Sequence, residues 1–141
     1  MGRYLAIDYG TKRCGIAVSD PMKLIASGLE TVPSHELMNF LDAYFLKEKV
    51  ECVIIGKPLR HDQTQSESFV HVERFVSAFR KRFPEKKIAW EDEQFTSKMA
   101  VRAMVDGGLK KSRRRDKAMV DKVSAALILQ SYMEKENNPG S

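Results

Sequence analysis

Candidate chemistry in this 141-residue chain rests on acidic residues that lie far apart in the sequence. Asp8 ends the first apolar run, the pair Asp92 and Glu93 follows the last apolar run, and Asp121 lies early in a predicted C-terminal helix. If these carboxylates meet at one end of a sheet, they repel one another, and Mg²⁺ or Mn²⁺ relieves the repulsion by accepting hard oxygen ligands. Two such ions about 4 Å apart activate a water and stabilise the leaving oxygen of a phosphodiester. The acids therefore indicate a two-ion Mg²⁺ or Mn²⁺ site.

Each acid also has a purely structural interpretation. Asp8 could bond its own backbone in a turn in which Gly10 supplies a positive φ. Asp121 could complement the N-terminal dipole of its helix. It shares a helix stripe with four apolar residues, Ala118, Ala125, Ile128 and Tyr132. That stripe should face the protein, where an unpaired carboxylate is costly. Periodicity does not choose between Asp92 and Glu93, because adjacent strand residues face opposite sides.

The histidines and cysteines offer no competing metal site. His35, His61 and His71 fall at helix ends or in a polar stretch and are predicted to lie on the surface. Cys14 and Cys52 lie in apolar strand-like runs without a CxxC or Cys/His arrangement, so we expect small buried hydrophobes rather than zinc ligands. This cysteine usage favours a reduced, cytoplasmic setting.

A cluster of basic residues precedes the last predicted helix. It consists of Lys110, Lys111, Arg113, Arg114, Arg115 and Lys117, in a chain of net charge +5. Such a run matches a phosphate backbone with salt-dependent affinity, although a solvated basic loop has the same composition. No apolar run is long enough to cross a membrane, and the N-terminus lacks the pattern of a secretory signal.

Hydrophobic patterning predicts the elements that position these residues. Strands are expected over residues 5–8, 16–18, 24–32, 50–55 and 86–90, and helices over 37–46, 69–79, 97–105 and 118–134. Three successive strands favour an antiparallel meander, and the later alternation of strand and helix adds parallel crossovers. The sequence therefore predicts an α/β fold, with a mixed five-stranded sheet flanked by helices on both faces. We expect one domain over residues 1–136 and a flexible tail over 137–141.

Four segments, in order, resemble one known family. They are residues 6–20 (AIDYGTKRCGIAVSD), 54–59 (IIGKPL), 92–97 (DEQFTS) and 121–130 (DKVSAALILQ). The set is similar to the bacterial YqgF/RuvX family, compact members of the ribonuclease H-like superfamily. Members are described as Holliday junction resolvase-like proteins and as nucleases that mature the 5′ end of pre-16S ribosomal RNA. The resemblance implies a ribonuclease H-like fold and a metal-dependent nuclease.

The resemblance also implies roles for individual residues. Asp8 is the expected central metal ligand, Glu93 completes the metal pair or positions the water, and Asp121 closes the site from the final helix. Gly56 is expected to let the backbone pass close to the substrate. The implied substrate-binding residues are Lys12, Arg13, Lys57, Thr96, Arg113, Arg114 and Arg115.

The chain departs from the family pattern in three places. Gln94 stands where the family usually has Arg, Ser97 replaces its second Thr, and Asp62-Gln63 replaces a common Asp-Gly. Loss of the Arg removes a bidentate phosphate donor, so activity or substrate choice is expected to differ. The carboxylate residues themselves are intact.

Several functions compete at this point. The favoured hypothesis is a metal-dependent nuclease that matures the 5′ end of pre-16S ribosomal RNA, acting as a monomer or weak homodimer away from membranes. The first alternative is a Holliday junction resolvase, which acts on branched DNA and requires a two-fold dimer. The second is a non-catalytic RNA-binding ribosome assembly factor, which needs the basic cluster but not the acids. An actin-like kinase half is disfavoured, since 141 residues do not supply two such domains.

Overall fold

Five strands form one mixed sheet in a computed structural model that describes residues 2–58, 69–93 and 117–137. They are β1 (Arg3–Asp8), β2 (Arg13–Ser19), β3 (Ala26–Pro33), β4 (Val50–Pro58) and β5 (Lys87–Glu93). Their order across the sheet is β3-β2-β1-β4-β5. The β1–β2 and β2–β3 pairs are antiparallel, whereas β1–β4 and β4–β5 are parallel. The predicted meander followed by parallel crossovers is confirmed.

Helices cover both faces of this sheet, as predicted. They are α1 (Leu37–Lys47), preceded by a 3-10 turn (Ser34–Glu36), then α2 (Phe69–Arg82) and α3 (Lys117–Asn137). The helix expected over residues 97–105 lies outside the described residues, as does most of the expected tail. Among the described helices, none combines the length and the apolar character that a membrane crossing requires.

The two faces of the sheet carry side chains of different size. On one face, Leu5 and Ile7 of β1 pack with the buried residues of α1 and α2 in the larger core cluster. On the other face, Ala6 of β1 and Ala17 of β2 pack against α3 in a smaller cluster. Both faces of β1 are buried, which explains its continuous apolar run. The small residues on the second face allow α3 to lie close to the strands.

The third strand begins later than its apolar residues suggested. Strand β3 starts at Ala26, whereas Leu24 and Ile25 lie in an exposed loop. The Asp20 carboxylate accepts hydrogen bonds from the backbone N–H groups of Met22, Leu24 and Ile25, at 3.1, 2.8 and 2.8 Å. These N–H groups therefore donate to the Asp20 side chain in an aspartate turn and not to a neighbouring strand. The expected start at Leu24 was wrong for this reason.

Candidate active site

Two of the predicted acids meet where parallel strands end. Asp8 is the last residue of β1, and Glu93 is the last residue of β5. Because β1, β4 and β5 are parallel, both residues lie at the end of the sheet where these strands terminate. Their side chains are hydrogen-bonded to each other. Both are half-buried, whereas Asp92 is exposed.

Alternation along β5 explains why Glu93 rather than Asp92 faces Asp8. Ala89 packs in the α3-side cluster, and Glu91 is buried between Ser131 and Lys135 of α3. Glu93 is two residues further along the strand than Glu91. Its side chain therefore points to the same face of the sheet, because successive side chains in a strand alternate between the two faces. Glu91 itself is neutralised by its α3 partners, so it is a structural acid rather than a fourth member of the site.

The environment of this pair favours retention of a proton. Burial, followed by repulsion from Asp121, raises the pKa of Asp8 to about 6. Burial and the charge of Asp8 raise the pKa of Glu93 to about 8. The carboxyl of Glu93 is therefore the donor of the shared hydrogen bond, and the carboxylate of Asp8 accepts it. A cation could replace this proton between the two groups.

Asp121 reaches the same side of the sheet but is held by a basic residue. The Arg13 Nε–H donates to the Asp121 Oδ2 over 2.6 Å, and Arg13 lies on β2, the neighbour of β1. Within the described parts of the chain, no three His, Cys, Asp or Glu side chains are arranged to hold one metal ion. The structure thus contains a hydrogen-bonded acid pair and a third acid in an ion pair.

Two contacts fix the start of α3 near these acids. Gly15 pairs with Asp8 in the β1–β2 ladder, and a Cβ on Gly15 would lie 2.0 Å from the Asp121 carbonyl oxygen. The hydroxyl of Thr31 on β3 donates to the Ala118 carbonyl oxygen over 2.5 Å. The first turns of α3 are therefore held against β2 and β3, which brings Asp121 to the end of the sheet.

Gly56 leaves space for two side chains of the site region. A Cβ at this position would lie 2.7 Å from the Ile128 Cδ1 and 3.5 Å from the Glu93 Oε2. Ile128 is fully buried, so the clash cannot be relieved by moving into solvent. Besides its expected role near the substrate, Gly56 thus has a packing reason to lack a side chain.

The turn between β1 and β2 forms one wall of a cavity beside Asp121. Its volume is about 290 Å³, and it is lined by Gly10, Thr11, Lys12, Arg13 and Asp121. The Gly10 carbonyl accepts a 2.5 Å hydrogen bond from the Ser34 hydroxyl. Ser34 thus secures this turn. Lys12 and Arg13, both predicted to bind substrate, line the cavity together.

Lys57, another predicted substrate contact, is not brought to this cavity. Lys57 belongs to the opposite face of the sheet, where its Nζ lies 5.4 Å from the centroid of the Phe69 ring. The other predicted contacts, together with Gln94, lie outside the described residues: Thr96, Arg113, Arg114 and Arg115.

Among the residues that the structure describes, the predicted exposure of the histidines and burial of the cysteines are confirmed. His35 and His71 are exposed, and Cys14 and Cys52 are buried free thiols. His61 lies outside the described residues.

The ion pair between Arg13 and Asp121 is not among the interactions that the sequence predicts. The two residues are 108 positions apart, and their pairing depends on how α3 lies across the sheet. Hydrophobic periodicity places Asp121 on an inward stripe but does not name its partner. We find no sequence signal for this pairing.

Comparison with known proteins gives concordant matches over nearly the whole chain. A family profile described as RuvX, Holliday junction resolvase, matches residues 2–135. A protein of Christiangramia forsetii, named as a candidate pre-16S rRNA nuclease, is 57% identical over 133 residues, which is 94% of this chain and 98% of the relative. A protein of the same name from Bacteroides thetaiotaomicron is 52% identical over 136 residues, or 96% and 99% of the two chains.

Solved structures share the fold at much lower identity. The structure of Thermus thermophilus RuvC matches with a TM-score of 0.53 and 16% identity, covering 94% of this chain and 96% of that one. The structure of T. thermophilus RuvC in complex with a Holliday junction substrate matches with a TM-score of 0.51 and 18% identity, covering 95% and 97%. These likenesses establish a RuvC-like ribonuclease H fold, as the sequence motifs implied.

Proposed function

This chain belongs to the RuvX family, and on that basis we propose that it is a nuclease that hydrolyses phosphodiester bonds, with precursor 16S ribosomal RNA as its substrate. The names of the two bacterial relatives support the choice of RNA. The observation that carries the chemistry is the hydrogen-bonded pair of Asp8 and Glu93, with Asp121 on the same side of the sheet.

The acids fit a site for Mg²⁺ or Mn²⁺. Asp8 and Glu93 are oxygen ligands that share a proton in a half-buried setting, which is where a cation gains most by replacing the proton. These two residues would hold the metal, with Asp121 as a further ligand. When bound, one or two such ions would activate a water and stabilise the leaving oxygen.

The protein's own basic residues would position the substrate. Lys12 and Arg13 line a cavity together with Asp121, so a phosphate there would lie next to the Asp121 carboxylate. An Arg guanidinium binds phosphate through charge-assisted and often bidentate hydrogen bonds, and a Lys ammonium adds a compact positive charge. We propose the same role for Thr96 and the run from Arg113 to Arg115, from the sequence alone.

A substrate panel with matched acid variants tests this function. The unmodified chain, Asp8→Asn and Asp92→Asn are incubated with a precursor 16S RNA fragment, an unrelated single-stranded RNA and a four-way DNA junction. Each reaction is run with Mn²⁺, with Mg²⁺ and with EDTA. We expect cleavage of the precursor only with metal, a loss of about a hundredfold or more in Asp8→Asn, and little change in Asp92→Asn. Equal activity of Asp8→Asn and the unmodified chain would overturn the catalytic role.

A second candidate function is resolution of four-way DNA junctions. The description of the matching family favours it, and it requires two active sites related by two-fold symmetry. Symmetric nicks in the junction, without cleavage of the precursor RNA, would support the resolvase over the RNA nuclease. Binding of RNA without cleavage by any form of the chain would instead support a non-catalytic assembly factor.

A further inference from the structure

Arg13 lies between an acid of the site and the cavity that would receive a phosphate. Its Nε is 2.6 Å from the Asp121 Oδ2, and both residues line the same cavity of about 290 Å³. The side chain of Arg13 remains 37% exposed and that of Asp121 23% exposed. The guanidinium has five N–H donors, and the hydrogen bond from Nε to the Asp121 carboxylate uses one of them.

An Asp121 carboxylate held in this way is a poorer metal ligand. A guanidinium and a cation attract the same carboxylate oxygen, and they repel each other at short range. Arg keeps its proton at every ordinary pH, so the competition is not relieved by deprotonation. It is relieved when another anion takes the guanidinium, and a phosphate matches the planar fork of Arg particularly well.

We propose that Arg13 couples the arrival of the substrate phosphate to completion of the acid set. Without substrate, Arg13 holds Asp121 away from a cation. A phosphate that enters the cavity takes over the guanidinium, so Arg13 no longer competes for the Asp121 carboxylate with the metal that Asp8 and Glu93 bind. Arg13 is then a positioning residue, and substrate and metal strengthen each other's binding by the same factor. This inference rests on the proposed function.

Metal affinity in the absence of nucleic acid tests the coupling without reference to activity. Free Mn²⁺ is measured by electron paramagnetic resonance during titration of the unmodified chain and of Arg13→Gln. Removal of the competing guanidinium should lower the Mn²⁺ dissociation constant about three- to tenfold, the range for a partly exposed pair beside a charged site. Arg13→Lys keeps the positive charge but loses the planar guanidinium. Its Mn²⁺ affinity should therefore lie between that of the unmodified chain and that of Arg13→Gln.

Two controls separate this mechanism from a general effect of charge. Lys12→Gln removes one positive charge from the same cavity wall, and its dissociation constant should change by less than about twofold. In an Asp121→Asn background, Arg13→Gln should likewise have no effect, because the two substitutions act on one interaction. The proposal would be overturned if Lys12→Gln lowered the Mn²⁺ dissociation constant as much as Arg13→Gln does. It would also be overturned if Arg13→Gln still lowered this constant in the Asp121→Asn background. Circular dichroism melting confirms that each variant is folded.

Asp8→Asn distinguishes failure of this inference from failure of the proposed function. If the unmodified chain binds no Mn²⁺, or if Asp8→Asn binds it equally well, the proposed metal site is wrong. The proposed coupling of phosphate and metal binding through Arg13 is then wrong as well. If Asp8→Asn abolishes binding but Arg13→Gln leaves the dissociation constant unchanged or raises it, only the coupling through Arg13 is wrong.

Discussion

Gly15 lies directly against the backbone of Asp121, since a Cβ on Gly15 would lie 2.0 Å from the Asp121 carbonyl oxygen. The sheet residue opposite Gly15 is Asp8, so this contact links the strand that carries one acid to the helix that carries another. The separation of the acids is therefore controlled by the absence of a side chain at position 15.

Gly15→Ala should accordingly displace α3 and lower stability. A methyl group facing backbone cannot be accommodated by a rotamer change, so we expect a loss of about 2–4 kcal/mol in the free energy of unfolding, measured by urea denaturation. Gly28→Ala is the matched control, because a Cβ there would lie 3.1 Å from the Lys122 Cβ, a contact that a small shift relieves. Equal stability of Gly15→Ala and the unmodified chain would show that α3 is not held by this contact.

The contact between Gly56 and Ile128 predicts a compensating pair of substitutions. A Cβ on Gly56 would lie 2.7 Å from the Ile128 Cδ1 inside the core, so Gly56→Ala should cost about 1–3 kcal/mol. Ile128→Val removes that Cδ1 and alone should cost about 1 kcal/mol. We expect the double variant to be more stable than Gly56→Ala alone, as measured by thermal melting. Strictly additive losses would contradict direct packing between the two positions.

The sheet and its helices were predictable because their patterns are local. The apolar run ending at Asp8 marks a central strand, and the spacing of Phe69 and its neighbours marks α2. The choice of Glu93 over Asp92 was not predictable from periodicity, because it depends on which face of β5 meets α3. The pairing of Arg13 with Asp121 was likewise hidden, since it depends on packing between distant segments.

The basic cluster of residues 110–117 remains a prediction from the sequence, and salt dependence tests it. Neutral substitutions of Arg113, Arg114 and Arg115 should weaken RNA binding and flatten the plot of log affinity against log salt by about two units of slope, because single-stranded contacts contribute about 0.7 each. Substitution of the exposed Arg74, Arg80 and Lys81 of α2 by Gln removes the same number of positive charges and controls for net charge. An unchanged slope in the Arg113–Arg115 variant would indicate a solvated loop.

The proton shared by Asp8 and Glu93 predicts how stability varies with pH when metal is removed by EDTA. The pKa of Asp8 is raised to about 6 and that of Glu93 to about 8, above the usual values of 3.8 and 4.5 for these side chains. Between the usual and the raised pKa values the folded chain binds more protons than the unfolded chain, so the free energy of unfolding falls as pH rises from about 4 to about 8. Glu93→Gln keeps a donor toward Asp8 without the second charge.

Glu93→Gln should therefore be more stable than the unmodified chain at pH 8, by about 1–3 kcal/mol, and this advantage should shrink toward pH 5. Chemical denaturation in EDTA at several pH values measures it, with Asp92→Asn as the exposed acid control. An advantage that is constant with pH would mean that Gln improves packing rather than relieving charge. A loss of stability at pH 8 would mean that the carboxyl of Glu93 is not crowded by Asp8.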